Sequence, residues 1–164
     1  MTAEVHLHEV EDVAAKLSQA WHFLCGEERS FSFTDSSGDQ QSYADFSYFM
    51  PMEVKAEDRV GGVAVLIPRG DAVRVASYMF AVDTSELQDA DLKDACSEVC
   101  NVFADCIVMH ISGSEDVSIG LPVMADLNCF MQISKDSVVA AVYKSNIELG
   151  NLVVVVYDVL RQPL

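Results

Sequence analysis

SELQDADLKDACSEVCNVFADCIVMH, residues 85–110, is the stretch that organises this chain, and it reads as one long amphipathic helix. Leu92, Cys96, Val99, Phe103, Cys106 and His110 recur at spacings of three and four, so they share a face. At about 100° per residue, Asp94, Glu98, Asn101 and Asp105 fall in a narrow stripe on the opposite side. Ser85 stands where an N-cap is wanted, and Gln88 where a capping box would close it. A surface helix ordinarily mixes Lys with Glu on its wet side. This stripe carries three carboxylates and a carboxamide, with no Lys or Arg among them.

Any surface helix sets a polar stripe against an apolar one, so the stripe alone reads as solvated surface. The sharper reading takes Glu98 and Asn101, spaced i and i+3, as a pair that projects together. With 11 Glu and 4 Asn in the chain, chance alone gives about 0.3 copies of Glu-x-x-Asn. A second copy, Glu148 and Asn151, contains Gly150 and runs into the apolar run that starts at Leu152. It does not present its two side chains together on a helix, so context must carry the case for the first copy.

The length, 164 residues, suits one domain spanning residues 1–164, and an apolar content of 51% supplies a core. The formal charge of −16 repels phosphate backbones and anionic headgroups, which argues against nucleic-acid and membrane binding and suits a locally basic protein partner. The start lacks a hydrophobic signal core, and no apolar run nears the roughly 20 residues that span a bilayer, so a cytoplasmic protein is expected. The five cysteines, Cys25, Cys96, Cys100, Cys106 and Cys129, include no Cys-x-x-Cys pair. They read as small core thiols, and no metal site is expected. His6 and His8 form a His-x-His pair near the terminus that reads as solvated surface, and His22 stands alone.

Working outward, residues 4–25 form a first helix with Val10, Val13, Ala14, Leu17, Trp21 and Leu24 inward, stopped by Gly26. Phe31 and Phe33 alternate with polar residues in a short strand, and Gly38-Asp39 marks a turn. A second strand lies within 43–54, where Pro51 requires an edge or a bulge. Gly61 to Ile67 is a buried strand stopped by Pro68. Its glycines fit a bulge or close packing, since no phosphate-loop pattern follows. Asp71 caps a short helix with Ala72, Val73, Ala76, Met79 and Phe80 inward. Strands are read at 117–125, 127–134, 138–143 and 152–160, joined by short turns. Three helices and six or seven strands make an α+β domain, a mixed or antiparallel sheet with helices packed on one face. The run 152–160, apolar nearly throughout, predicts burial on both faces.

The order of parts now carries information. A Gly61-Gly62 strand ends Val65-Leu66-Ile67-Pro68. A short helix follows, then a long helix with Ser97-Glu98-Val99-Cys100-Asn101, then Leu121-Pro122-Val123. This order resembles the CheC/CheX/FliY family of response-regulator phosphatases, most closely the single-helix CheX type, over about residues 54–160. The resemblance implies an enzyme that hydrolyses the aspartyl phosphate of a CheY-like receiver domain. Glu98 would pair with a receiver lysine, and Asn101 would hold the attacking water. Asp94 and Asp105 would touch the partner. The chain would need no cofactor of its own, since the receiver brings Mg²⁺. Homodimers paired through their sheets are also implied. Ser97, Cys100, Val102, Ala104 and Asp105 depart from the family's usual residues, which keeps open a non-catalytic binding module of the same fold, comparable with flagellar-switch relatives.

Overall fold

The computed structural model describes residues 10–34, 44–55, 59–109, 117–136, 138–145 and 152–160. In chain order these form α1 (Val10–Cys25), β1 (Phe31–Thr34), β2 (Phe46–Val54), β3 (Arg59–Ile67), α2 (Arg69–Phe80), α3 (Asp89–Val108), β4 (Val117–Ile119), β5 (Val123–Met124), α4 (Leu127–Asp136), β6 (Val138–Ser145) and β7 (Val153–Leu160). The strands build one sheet in the order β1-β6-β7-β3-β2-β4, with β5 also on β2. Every neighbouring pair is antiparallel.

The valine run explains the centre of this sheet. β7 lies between β6 and β3, so its backbone is paired on both sides. Leu152, Val154 and Val156 point to one face, while Val153, Val155 and Tyr157 point to the other, and all six are buried. Period-2 alternation puts apolar groups on both faces only when every position is apolar, which is why the run reads as continuous. On the first face, α1, α2 and α3 bury Leu17, Trp21, Val75, Val99 and Phe103 against Met50, Val65 and Val156. The second face carries Ala64, Leu66 and Val142, with Ile133 of α4 packed against it.

Residues 127–134, read from sequence as a strand, form α4 instead. Successive antiparallel pairings make β5 and β6 run the same way, on opposite sides of β2, β3 and β7. A tight turn cannot join parallel strands, so the link must cross the sheet. Ten helical residues supply about 15 Å of that path at a rise of about 1.5 Å each. Asp126 starts the helix, its Oδ1 accepting the Cys129 N–H at 2.7 Å.

The single strand read at 117–125 is divided. β4 pairs Ile119 with Met52, whereas β5 pairs Met124 with Tyr48. Gly120, Leu121 and Pro122 therefore oppose only Met50 and Pro51, which is a β-bulge in the strand facing the proline. The Pro51 carbonyl accepts the Gly120 N–H at 2.7 Å. A strand residue's nitrogen points to the same side as its carbonyl, so the missing proline proton falls where the ladder is interrupted. The β2–β3 register is unbroken at Gly61 and Gly62, so close packing accounts for both glycines. A Cβ on Gly61 would strike the Tyr157 carbonyl, and one on Gly62 the Phe49 ring.

Two helix caps also differ from expectation. α2 starts behind Pro68, and Asp71 is not its cap but a buried group in its first turn. Its Oδ1 accepts from Arg29 Nη2 at 2.7 Å, which joins α2 to the segment after α1. Arg29 also reaches Glu27 at 2.9 Å, and its guanidinium lies 4.6 Å from the Trp21 ring centre. Val75 takes an inward place that the sequence reading gave to Phe80, which is exposed. Gly26 ends α1 as expected, with φ of +74° and its N–H donated to the His22 carbonyl.

Candidate functional site

α3 begins at Asp89, later than expected, because Gln88 rather than Ser85 is its N-cap. Gln88 and Asp91 form a reciprocal capping box, with the Gln88 N–H donated to Asp91 Oδ2 at 2.8 Å. Ser85 lies in a single 3-10 turn, Thr84–Glu86, that leads into it. Leu92, Cys96, Val99 and Phe103 are buried as the spacing predicts, and Cys106 is half-buried. Ala95, Cys100, Ala104 and Ile107 widen the buried face. His110, His6 and His8 lie outside the described residues, as do the Gly38 turn and the second copy of the motif at Glu148 and Asn151.

The helix runs obliquely over the sheet. Near its start the Tyr48 hydroxyl of β2 approaches the Lys93 carbonyl at 3.5 Å, and further on Phe103 meets Phe31 of β1 edge-on at 5.5 Å. β1 is one end of the sheet order, and β2 lies four places along it, next to the edge made by β4 and β5. The Tyr48 hydroxyl also lies near the Ser97 side chain, and burial, then the neighbouring Cys96 and Cys100 thiols, push its phenol up to about 12. α3 is therefore held along its length by groups that do not ionise at neutral pH. Burial likewise pushes Cys96 up to about 12 and Cys100 well above the usual thiol range. Thiols in that state are poor nucleophiles and poor metal ligands. Among the described residues, no three His, Cys, Asp or Glu side chains converge to hold a metal ion.

The opposite side of α3 is open. Asp94, Glu98, Asn101 and Asp105 are all exposed and fall within an arc of about 60°. Val99 and Cys100, the two residues inside the motif, are fully buried. The pair thus alternates with anchors, and each exposed group is fixed by a core side chain next to it in sequence. Glu98 and Asn101 stand one turn apart, about 5–6 Å between Cβ atoms. Neither has a hydrogen-bond or ion-pair partner among the described residues. Unengaged polar groups on a rigid, anchored helix can act only on something brought to them. Tyr48 falls within the strand read at 43–54, but its place as the seat of the helix was not legible, because nothing in sequence links residue 48 to residue 97.

No protein-family model matches this sequence, and no curated protein does. Solved structures do. Chemotaxis protein CheX from Vibrio vulnificus superposes with a TM-score of 0.68 at 14% identity, over 91% of this chain and 97% of that one. The chain has the CheC/CheX-like fold. A chain of the CheX–CheY–BeF3–Mg complex from Borrelia burgdorferi matches with a TM-score of 0.61 at 17% identity, over 96% of this chain and 100% of that chain. A chain of the FliM–SpeE complex from H. pylori gives 0.57 at 10% identity, over 90% and 83%. The CheX-like sheet and its helical layer therefore account for nearly the whole length. No described helix is long and apolar enough to cross a membrane.

Proposed function

We propose that this protein hydrolyses the aspartyl phosphate of a CheY-type receiver domain, with α3 entering the receiver's active centre. The observation that carries this reading is the pair Glu98 and Asn101, exposed together on a helix whose other side is locked into the core. Asn101 carries a carboxamide, which does not titrate and so cannot serve as a general base. It donates and accepts hydrogen bonds at once, which suits holding a water in line with phosphorus. The water oxygen bonds to phosphorus as the acyl oxygen leaves, giving free aspartate on the receiver and inorganic phosphate. Such transfers depend chiefly on position and electrostatics, so placing the nucleophile is a sufficient role. Glu98 supplies the anion for a receiver lysine, and Asp94 and Asp105 meet the partner's basic rim. The receiver contributes Mg²⁺ and the phosphorylated Asp, and the reaction is cytoplasmic. Pairing into a homodimer is part of the same reading. The apolar β7 is paired on both sides within one chain, so in this reading the pairing rests on other surfaces.

The test follows the decay of a CheY-type receiver labelled with radioactive phosphate, with and without this protein. The native chain shortens the phosphoryl lifetime. Asn101→Ala folds normally and leaves decay at the receiver's intrinsic rate. Equal acceleration by mutant and native protein would overturn the assignment.

A second reading is a binding module that engages the receiver without chemistry. The likeness to a chain of a FliM complex favours it, as does Asp105, a carboxylate next to a site that would meet an anionic phosphoryl group. In that case the receiver binds and its phosphoryl lifetime does not change.

A further inference from the structure

The bulged edge of the sheet borders α3 and is apolar where the helix is charged. Leu121 sits in the bulge and is 80% exposed, and Met124, just past it, is 42% exposed. The extra residue reverses the alternation, so Met124 stands opposite Tyr48, on the helix-bearing face. Tyr48 is the residue beneath the Lys93–Ser97 turn of α3. Met124 therefore flanks that turn, and Asn101 stands one turn further along. Bulges recur next to binding sites because they re-aim single side chains. Here the bulge leaves a leucine exposed to water three residues before Met124.

The charge distribution says what fits there. From Gly120 to Ser134 the one charged residue is Asp126, whereas α3 carries Asp89, Asp91, Asp94, Glu98 and Asp105 against a single Lys93. An exposed apolar patch rimmed by charge on one side is the signature of a protein-binding surface. Its complement has an apolar centre with basic groups along one border. A second copy of this chain, at −16, would bring carboxylates against carboxylates.

We propose that residues 120–124 form the apolar half of the receiver-docking surface, with Leu121 and Met124 packing on the receiver while Glu98 and Asn101 reach its active centre. The proposal rests on the receiver reading of α3, but it concerns affinity rather than chemistry, which allows the two to fail separately.

The experiment titrates a CheY-type receiver, loaded with beryllium trifluoride and Mg²⁺, against native protein and three variants, in parallel with the phosphoryl-decay assay. Leu121→Ser with Met124→Ser raises Kd about ten-fold or more and leaves the decay rate at saturation unchanged. Asn101→Ala abolishes acceleration with Kd within twofold. Phe23→Ser, which removes another exposed apolar side chain on α1, changes neither. Circular dichroism checks that each variant is folded. A Kd unchanged in the double variant overturns the proposal whatever the decay assay gives. So does a fall in the solution mass of the protein alone with receiver affinity unchanged, which would assign the patch to self-association. Failure of native protein to bind the receiver overturns both readings. Binding that the double variant loses, without any acceleration by native protein, upholds the docking surface and removes the phosphatase.

Discussion

Asp71→Ala removes the carboxylate on which Arg29 depends. The two side chains are 6% and 1% exposed and meet at 2.7 Å, so neither charge has water to fall back on. Removing one partner of a buried pair costs about 3–5 kcal/mol, because the remaining charge keeps its desolvation penalty. Glu27 stays within 2.9 Å of the guanidinium and is 36% exposed, which argues for the lower end, about 3 kcal/mol. For a chain of this length that is a fall in Tm of roughly 6–12 °C. Urea and thermal unfolding followed by circular dichroism measure it. The partner variant Arg29→Met should be comparably destabilised, since it strands Asp71. The double variant should lose clearly less than the two singles together, because no orphaned charge remains. If Asp71→Ala lost less than about 1 kcal/mol, the figure for exposed pairs, the junction of α1 and α2 would be solvated and the reasoning refuted.

Gly61→Ala should destabilise more than Gly62→Ala, both by roughly 1–3 kcal/mol. At Gly61 the obstacle is a backbone carbonyl of β7, whereas at Gly62 it is mainly the Phe49 ring, which can swing; equal midpoints in urea would refute this. Alkali should weaken the fold. Burial holds Cys96 near 12, above the ordinary thiol value of 9.0, and Tyr48 and Tyr143 near 12, above the phenol value of 10.0. The fold retains the neutral forms while the unfolded chain ionises, so this stability is complete below pH 9 and is lost as pH rises through the folded values. A urea midpoint that stays level from pH 8 to pH 11 would contradict it. Thiol titration of the native protein should give one fast cysteine, Cys129, with Cys25, Cys96 and Cys100 protected until unfolding.

What could be read in advance follows from how local each signal is. α1, α3 and the inward residues of both came from 3.6-residue periodicity, and β7 from an apolar run too short for anything but a buried strand. Pro51 announced an edge or a bulge, because a missing N–H has few places to go, and the structure puts the bulge in the strand facing it. Two of the misread parts turn on distant partners, whereas the shift of the α3 cap from Ser85 to Gln88 is a local matter of the Gln88–Asp91 capping box. Leu127, Met131 and Ser134 fit a helix as well as a strand, and only the parallel course of β5 and β6 decides between them. Asp71 looks like a cap in isolation and becomes a buried counter-ion because Arg29, 42 residues earlier, arrives beside it. At the candidate site, the openness of Glu98 and Asn101 was legible from the helical stripe. The seat under Ser97 and the apolar shelf at Leu121 were not, since both arise from strands brought alongside by the sheet.

Among the described strands, the one in the middle of the sheet is the last to be made. β3 and β6 are each synthesised before β7, yet they meet only through it. A nascent chain therefore holds two incomplete half-sheets, with the Val63–Leu66 edge of β3 awaiting a partner about ninety positions downstream. Closure over such separations is slow, and open apolar edges invite intermolecular pairing meanwhile. Yield in cells should accordingly depend on chaperone supply and growth temperature, and any shortening that removes Val153–Leu160 should give aggregate rather than a smaller folded unit.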